Sequence, residues 1–148
     1  MPSSTFTSTY QNYLVTLNLT SSSTQQVVNC RVNSSGTPRT ASEYKWGQQN
    51  MEVNGVQSVA SAETTQLRIN AFRGTTDLSN VNFLQVYQPT TSGEITTITS
   101  TGMGAVSDRW AFQTMGGFYY TKEAHDGLTF FVSGTFGGNY KVYGISNS

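Results

Sequence analysis

His125, the only histidine, lies in Glu123-Ala124-His125-Asp126-Gly127 and is the first place to look for acid–base chemistry, since imidazole titrates near neutrality. A hydrolytic triad would need a serine presented on a strained turn and an acid behind the histidine. The chain contains no G-x-S-x-G, so the segment reads as a solvated loop histidine. Glycoside hydrolysis needs two carboxylates flanking a cleft at about 5 to 9 Å. Glu43, Glu52, Glu63, Glu94 and Glu123 each stand singly beside turns or polar segments and read as surface charges. Cys30 is the only cysteine, which excludes an intramolecular disulfide and a cysteine-based zinc site. No phosphate loop, metal-ligand spacing or dinucleotide fingerprint occurs. The expectation is a chain with no catalytic residue, cofactor or metal, and not an enzyme.

Aromatic residues are the one surplus, at 12% of the chain. Tyr44-Lys45-Trp46 sits among charged and amide residues, and Phe118-Tyr119-Tyr120 follows a double glycine. Exposed aromatic rings either stack on sugars or anchor a protein interface, which makes Tyr44, Trp46, Tyr119 and Tyr120 the candidate interface or glycan-stacking residues. Trp110 and Phe112 share a strand face and are expected in the core.

The elements that must carry these residues are strands. Tyr13, Val15, Leu17 and Leu19 alternate with Thr16, Asn18 and Thr20, the period of a half-buried strand. The same alternation recurs at Val28, Cys30 and Val32; at Leu67, Ile69 and Ala71; at Leu84 and Val86; around Ile98; at Leu128, Phe130 and Val132; and at Tyr140 and Val142. Turn signals separate the runs, among them Ser21-Ser22-Ser23, Ser34 to Pro38, Arg73-Gly74 and Gly116-Gly117. Asn54-Gly55 and Asp126-Gly127 are the pairs best suited to tight hairpins, since both positions tolerate positive φ. Ala60 to Thr64 has room for one helical turn. Eight to ten short strands in one domain predict an all-β fold, an antiparallel β-sandwich of jelly-roll-like type. Residues 1–9 read as an extended N-terminal arm and residues 10–148 as the single domain.

Composition narrows the functional classes. Only 11% of the 148 residues are charged, eight basic against eight acidic, whereas a typical domain carries about 25%. Thr (22), Ser (18), Asn (11) and Gln (10) supply the polarity instead. A net charge of zero gives no basic surplus for nucleic acid. No apolar run approaches the ~20 residues of a membrane span, and the start lacks the pattern of a signal peptide, so synthesis in a cytoplasm is expected. A sandwich with three Lys and three Pro also has little with which to blunt its edges. Partner chains are expected to cover some of them, with the arm and the segments around residues 40–60 and 100–120 as contact regions.

The order of the pieces carries a resemblance. The chain opens on Phe6-Thr7-Ser8-Thr9-Tyr10-Gln11-Asn12-Tyr13, runs into Leu14 to Leu19 and the cluster Thr20 to Thr24, and continues through Val28 to Val32 and Ser35-Gly36-Thr37-Pro38. It closes on a glycine-broken strand pair, Val132 to Phe136 and Tyr140-Lys141-Val142-Tyr143-Gly144-Ile145. This resembles the β-sandwich module of tailed-bacteriophage, notably cyanophage, virion proteins. The resemblance implies a capsid decoration, or cement, protein on the virion surface. Such a protein is a homotrimer that bridges major capsid protein subunits; the composition adds the expectation of neither nucleic-acid nor membrane binding. The alternative the resemblance implies is a tail-fibre or receptor-binding component that takes a host surface glycan.

Overall fold

The computed structural model describes residues 1–2, 4–20, 25–73, 80–106 and 109–146. Eleven strands and no helix form among them: β1 (Asn12–Thr20), β2 (Gln25–Ser34), β3 (Thr37–Pro38), β4 (Tyr44–Glu52), β5 (Gly55–Thr64), β6 (Leu67–Arg73), β7 (Asn80–Tyr87), β8 (Thr96–Val106), β9 (Arg109–Tyr119), β10 (Gly127–Phe131) and β11 (Gly137–Ile145). They make an antiparallel β-sandwich of unequal sheets. The large sheet runs β11-β1-β7-β8-β9-β4-β5. The small sheet is centred on β2, with β10 on one flank and β3 and β6 on the other. Ala60 to Thr64 is not a helical turn but the last half of β5.

Alternation decides which residues meet between the sheets. Tyr13, Val15, Leu17 and Leu19 of β1, Leu84 and Val86 of β7, Ile98 of β8 and Met115 of β9 face Val28, Cys30 and Val32 of β2, Leu67 and Ile69 of β6 and Leu128 of β10, all buried. Each such aliphatic side chain contributes about 1.5–3 kcal/mol by leaving water. In β6 the register slips opposite Val28/Asn29. The extra residue lets Leu67, Ile69 and Asn70 all be buried, where strict alternation would turn one of them out.

Parity overturns the expected burial of Trp110 and Phe112, which are 46% and 41% exposed. Met115, Gly117 and Tyr119 of β9 must face inward, so every even-numbered neighbour faces out. The turn expected within Ser34 to Pro38 forms: Ser35-Gly36 closes β2–β3 with both φ angles positive. Three other turn readings do not hold, and the first is Gly116-Gly117, which lies inside β9. At the β4–β5 hairpin Glu52 pairs with Gly55, so the loop is Val53-Asn54, one residue before the expected pair, and Gly55 (φ 130°) opens the return strand. Asp126-Gly127 is no hairpin: Gly127 starts β10, which pairs with the distant β2. The closing strand pair does not form either: Val132 to Phe136 is not a strand but the connection from β10 in the small sheet to β11 in the large one. The turns expected at Ser21-Ser22-Ser23 and at Gly74 lie outside the described residues.

The described part of residues 1–9 is not an extended arm reaching away from the body. Phe6 is buried against Tyr13 (ring centroids 4.6 Å apart), its N–H donates to the Asp126 carbonyl (2.9 Å), and the Met1 amino group donates to Leu128 (2.8 Å). The Tyr13 hydroxyl accepts from Thr7 N–H (2.7 Å) and donates to its carbonyl (2.6 Å).

Seven strands facing a narrower sheet leave a step on each side. β6 lies over β8, β9 and β4, and β5 runs past it with nearly every residue exposed. On the far side β11 runs past β10, leaving an apolar recess lined by Leu17, Leu19, Phe130, Phe136 and Tyr140.

Candidate functional site

His125 is not a solvated loop residue. It is 1% exposed, its N–H donates to the Pro89 carbonyl (2.6 Å), and its Nδ1 lies 2.8 Å from Thr96 Oγ1. Nε2 faces Glu123 Oε1 at 3.5 Å, and the Glu123 carboxylate is already held at both oxygens by the Arg39 guanidinium, whose Nε donates to Oε1 at 2.7 Å. Burial keeps the imidazole below its ordinary pKa of 6.5, against the opposing pull of Glu123. Asp126 Oδ2 accepts from Gly36 N–H (2.8 Å), while its own N–H donates to Asn33 (2.9 Å). The cluster therefore ties the segment entering β10 to the β2–β3 hairpin and to the Pro89 loop. Glu43 accepts from Thr121 (2.5 Å), and hydroxyl donors hold its carboxyl below the usual range. Among the described residues, no three of His, Cys, Asp and Glu gather as metal ligands.

The four sequence-selected aromatics separate. Tyr44 (0% exposed) and Tyr119 (3%) pack on each other in the core, centroids 4.7 Å apart. The Tyr44 hydroxyl accepts from Val32 N–H (3.2 Å) and donates to the Arg39 carbonyl (3.0 Å). Neither ring has a face to offer a partner or a sugar. Tyr120 is exposed, with Lys45 Nζ 5.2 Å from its ring centroid. Trp46 is half-buried in the step beside β6.

The outer face of the large sheet carries the residues that sequence reasoning missed. Val81, Met103, Phe112, Met51 and Val56 are register partners in succession across β7, β8, β9, β4 and β5, so their side chains form one row perpendicular to the strands. All five are exposed, as are Phe83 and Trp110 beside them. Val81, Phe83, Met103, Trp110 and Phe112 enclose a shallow apolar hollow of about 470 Å³. The inner face at this end is amide-rich instead. Asn80, Asn82, Gln113, Asn50, Gln48 and Asn70 are buried there, with Asn70 Nδ2 donating to Asn82 Oδ1 (2.6 Å) and Gln48 Nε2 to Gln113 Oε1 (2.8 Å). At this end the sheet is polar within and apolar without, the reverse of its other end. The signal was present in Asn80-Val81-Asn82-Phe83, whose polar members share the parity of Leu84 and Val86.

The step between β6 and β5 is a concavity of about 570 Å³ lined by Val27, Asn29, Trp46, Glu63, Thr64, Thr65, Gln66 and Arg68. Arg31 secures its lip, donating from Nε to the Thr65 carbonyl (2.9 Å) and from Nη2 to Gln66 Oε1 (3.3 Å) while its guanidinium carbon lies 4.5 Å from the Phe131 ring centroid.

No protein-family model, curated protein or solved structure matches this chain.

Proposed function

We propose that the chain is a non-enzymatic structural subunit that docks through the outer face of its large sheet on a neighbouring protein subunit, as a capsid decoration protein of a phage-like particle. The observation that carries this is the reversed end of the sheet. Antiparallel sheets ordinarily bury apolar residues and solvate polar ones, and a row of five apolar side chains over buried amides supports a second covering on the outside. The seven exposed apolar side chains present on the order of 700 Å², near the roughly 800 Å² per partner of a stable interface.

Among the described outward positions of β1, β7, β8, β9, β4 and β11 the only charges are Lys45 and Lys141, both away from the apolar row. Docking there desolvates no ion pair and responds weakly to salt. β5 supports the same reading: it is a free edge of ten residues with one charge, Glu63, and such an edge invites pairing with another chain. The particle-protein part of the proposal draws on the resemblance of the opening and closing phrases.

The test is light scattering at micromolar concentration, with a companion binding assay on undecorated capsids of a tailed phage. The expected result is an assembly larger than a monomer that binds capsids at low and high salt. M103D/F112D, which alters only exposed positions, should be monomeric and fail to bind while keeping its β circular dichroism. A monomeric wild type that ignores capsids at every ionic strength overturns the proposal.

A further inference from the structure

We infer that the step between β6 and β5 is a binding site for an acidic sugar, with Arg68 receiving its carboxylate and Trp46 its apolar ring face. This does not depend on the docking reading, since the step lies on the inner side of the overhanging β4–β5 hairpin and the apolar row on the outer.

Arg68 carries the argument. It points away from the sandwich interior opposite Asn29, and its Nε is shielded from solvent with no hydrogen-bond partner. No hydrogen bond or ion pair involves its side chain among the described residues, although Glu63, Gln66 and Asn29 line the same concavity. A shielded donor without an acceptor costs about 1–3 kcal/mol, and proteins rarely leave one so. Burial also lowers the guanidinium pKa, which an anion would reverse. The missing partner is an oxygen acceptor, and a carboxylate fits a guanidinium fork best.

The rest of the step suits a sugar ring. Trp46 seats its ring in the concavity because Gly117, its partner on β9, has no side chain: a Cβ there would lie 2.8 Å from Trp46 Cβ and 2.7 Å from Leu67 Cδ2. A partly buried indole in a concave wall offers the flat apolar surface on which the C–H face of a pyranose rests. Glu63, Asn29 and Gln66 supply acceptors and donors for hydroxyl groups. The lip is preorganised: Arg31 holds Thr65 and Gln66, Thr64 Oγ1 donates to the Gln66 carbonyl (2.8 Å), and Glu63 adopts φ 57°, a left-handed conformation that costs energy and recurs at ligand clamps. With Arg31 behind the lip, Arg68 and Arg31 outnumber Glu63, leaving the site one positive charge to attract an anionic sugar.

The test uses W110F, which leaves Trp46 as the sole tryptophan. Titration with trigalacturonate is expected to change Trp46 fluorescence saturably at a Kd of ~1 mM, with neutral galactotriose about tenfold weaker. Arg68→Gln in that background should weaken trigalacturonate by about tenfold and abolish the preference, while Arg68→Lys retains part of it. Circular dichroism confirms that each variant is folded. Amide NMR shifts confined to Trp46, Glu63, Gln66 and Arg68 would support the site independently. No saturable change with either sugar, equal binding of the two, or an Arg68→Gln variant that binds like its parent each overturns the inference.

Discussion

Two adjacent glycines, Gly116 and Gly117, should respond to alanine in opposite directions. Neither has positive φ, so alanine is conformationally allowed at both and the outcome depends on space. At Gly116, on the outer face, an added Cβ meets nothing within 4 Å. Gly116→Ala should therefore be neutral or stabilise by about 0.4–1 kcal/mol, through the reduced entropy of the unfolded chain. At Gly117 the Cβ would lie 2.7 Å from Leu67 Cδ2, 2.8 Å from the Lys45 carbonyl oxygen and 2.8 Å from Trp46 Cβ. Leu67 is fully buried and the Lys45 carbonyl belongs to the β4–β9 ladder, so neither yields freely. Overpacking of this kind costs typically 1–3 kcal/mol, and with a backbone atom among the obstacles the upper end, about 3 kcal/mol, is expected. For a chain of this length that corresponds to a Tm lower by roughly 10 °C. Urea unfolding followed by circular dichroism measures both variants against the wild type, with an unchanged slope showing that stability alone has moved. If Gly117→Ala unfolds within about 0.5 kcal/mol of Gly116→Ala, the packing of Leu67 and Trp46 over β9 is wrong.

Stability should also depend on pH through His125, which is buried among Thr96, Tyr119, Glu123, Arg39 and Asp126. Its folded pKa lies below 6.5, so the unfolded chain takes up the proton first; stability is full above about pH 6.5 and falls as pH drops towards the folded value, a slope that His125→Asn should flatten in urea titrations between neutral and mildly acidic pH. A decline of equal steepness in the variant would assign the effect to other groups. Cys30 is fully buried in β2 and burial pushes its thiol pKa upward, so the native protein should resist a disulfide reagent that modifies one thiol per chain in denaturant. Rapid modification of the native protein would contradict the sealed core.

The fold was legible in the sequence because period-two alternation is a local signal. Tyr13 to Leu19 and Val28 to Val32 announce their buried faces without reference to any other strand. Pairing is not local. Nothing near Gly127 says that it starts a strand against Asn33 rather than a hairpin, and nothing near Val132 says that the chain changes sheets before β11. His125 was misread for the same reason: the atoms that enclose it come from Pro89, Thr96 and Arg39 as well as its own segment. The candidate sites were less legible still. Of the four aromatics chosen by type, Tyr44 and Tyr119 fill the core, and Trp46 gains its interest only from Arg68, twenty-two positions away and on the other sheet.

Hydrophobicity alone assigned Trp110 and Phe112 to the interior, and the reason that failed bears on what the surface is for. Sheet parity is a constraint on a whole strand, so one inward anchor fixes the facing of every residue around it. On β9 the anchors are Met115 and Tyr119, and on β7 they are Leu84 and Val86. Once these are set, Gln113, Asn82 and Asn80 are carried inward and Phe112, Trp110, Phe83 and Val81 outward. A one-residue bulge in each strand would have exchanged the two sets, as the slip opposite Val28/Asn29 does in β6. No such slip occurs in the β7–β8 and β8–β9 ladders, which hold register from the Val81/Met103 pair to Tyr87/Thr97 and from the Thr96/Tyr119 pair to Val106/Arg109. The part of the apolar row from Val81 through Met103 to Phe112 thus follows from uninterrupted pairing along these two ladders, and the buried amides behind it are the other half of the same arrangement. Under the proposed function, a partner covering the row would require no change of register in these ladders.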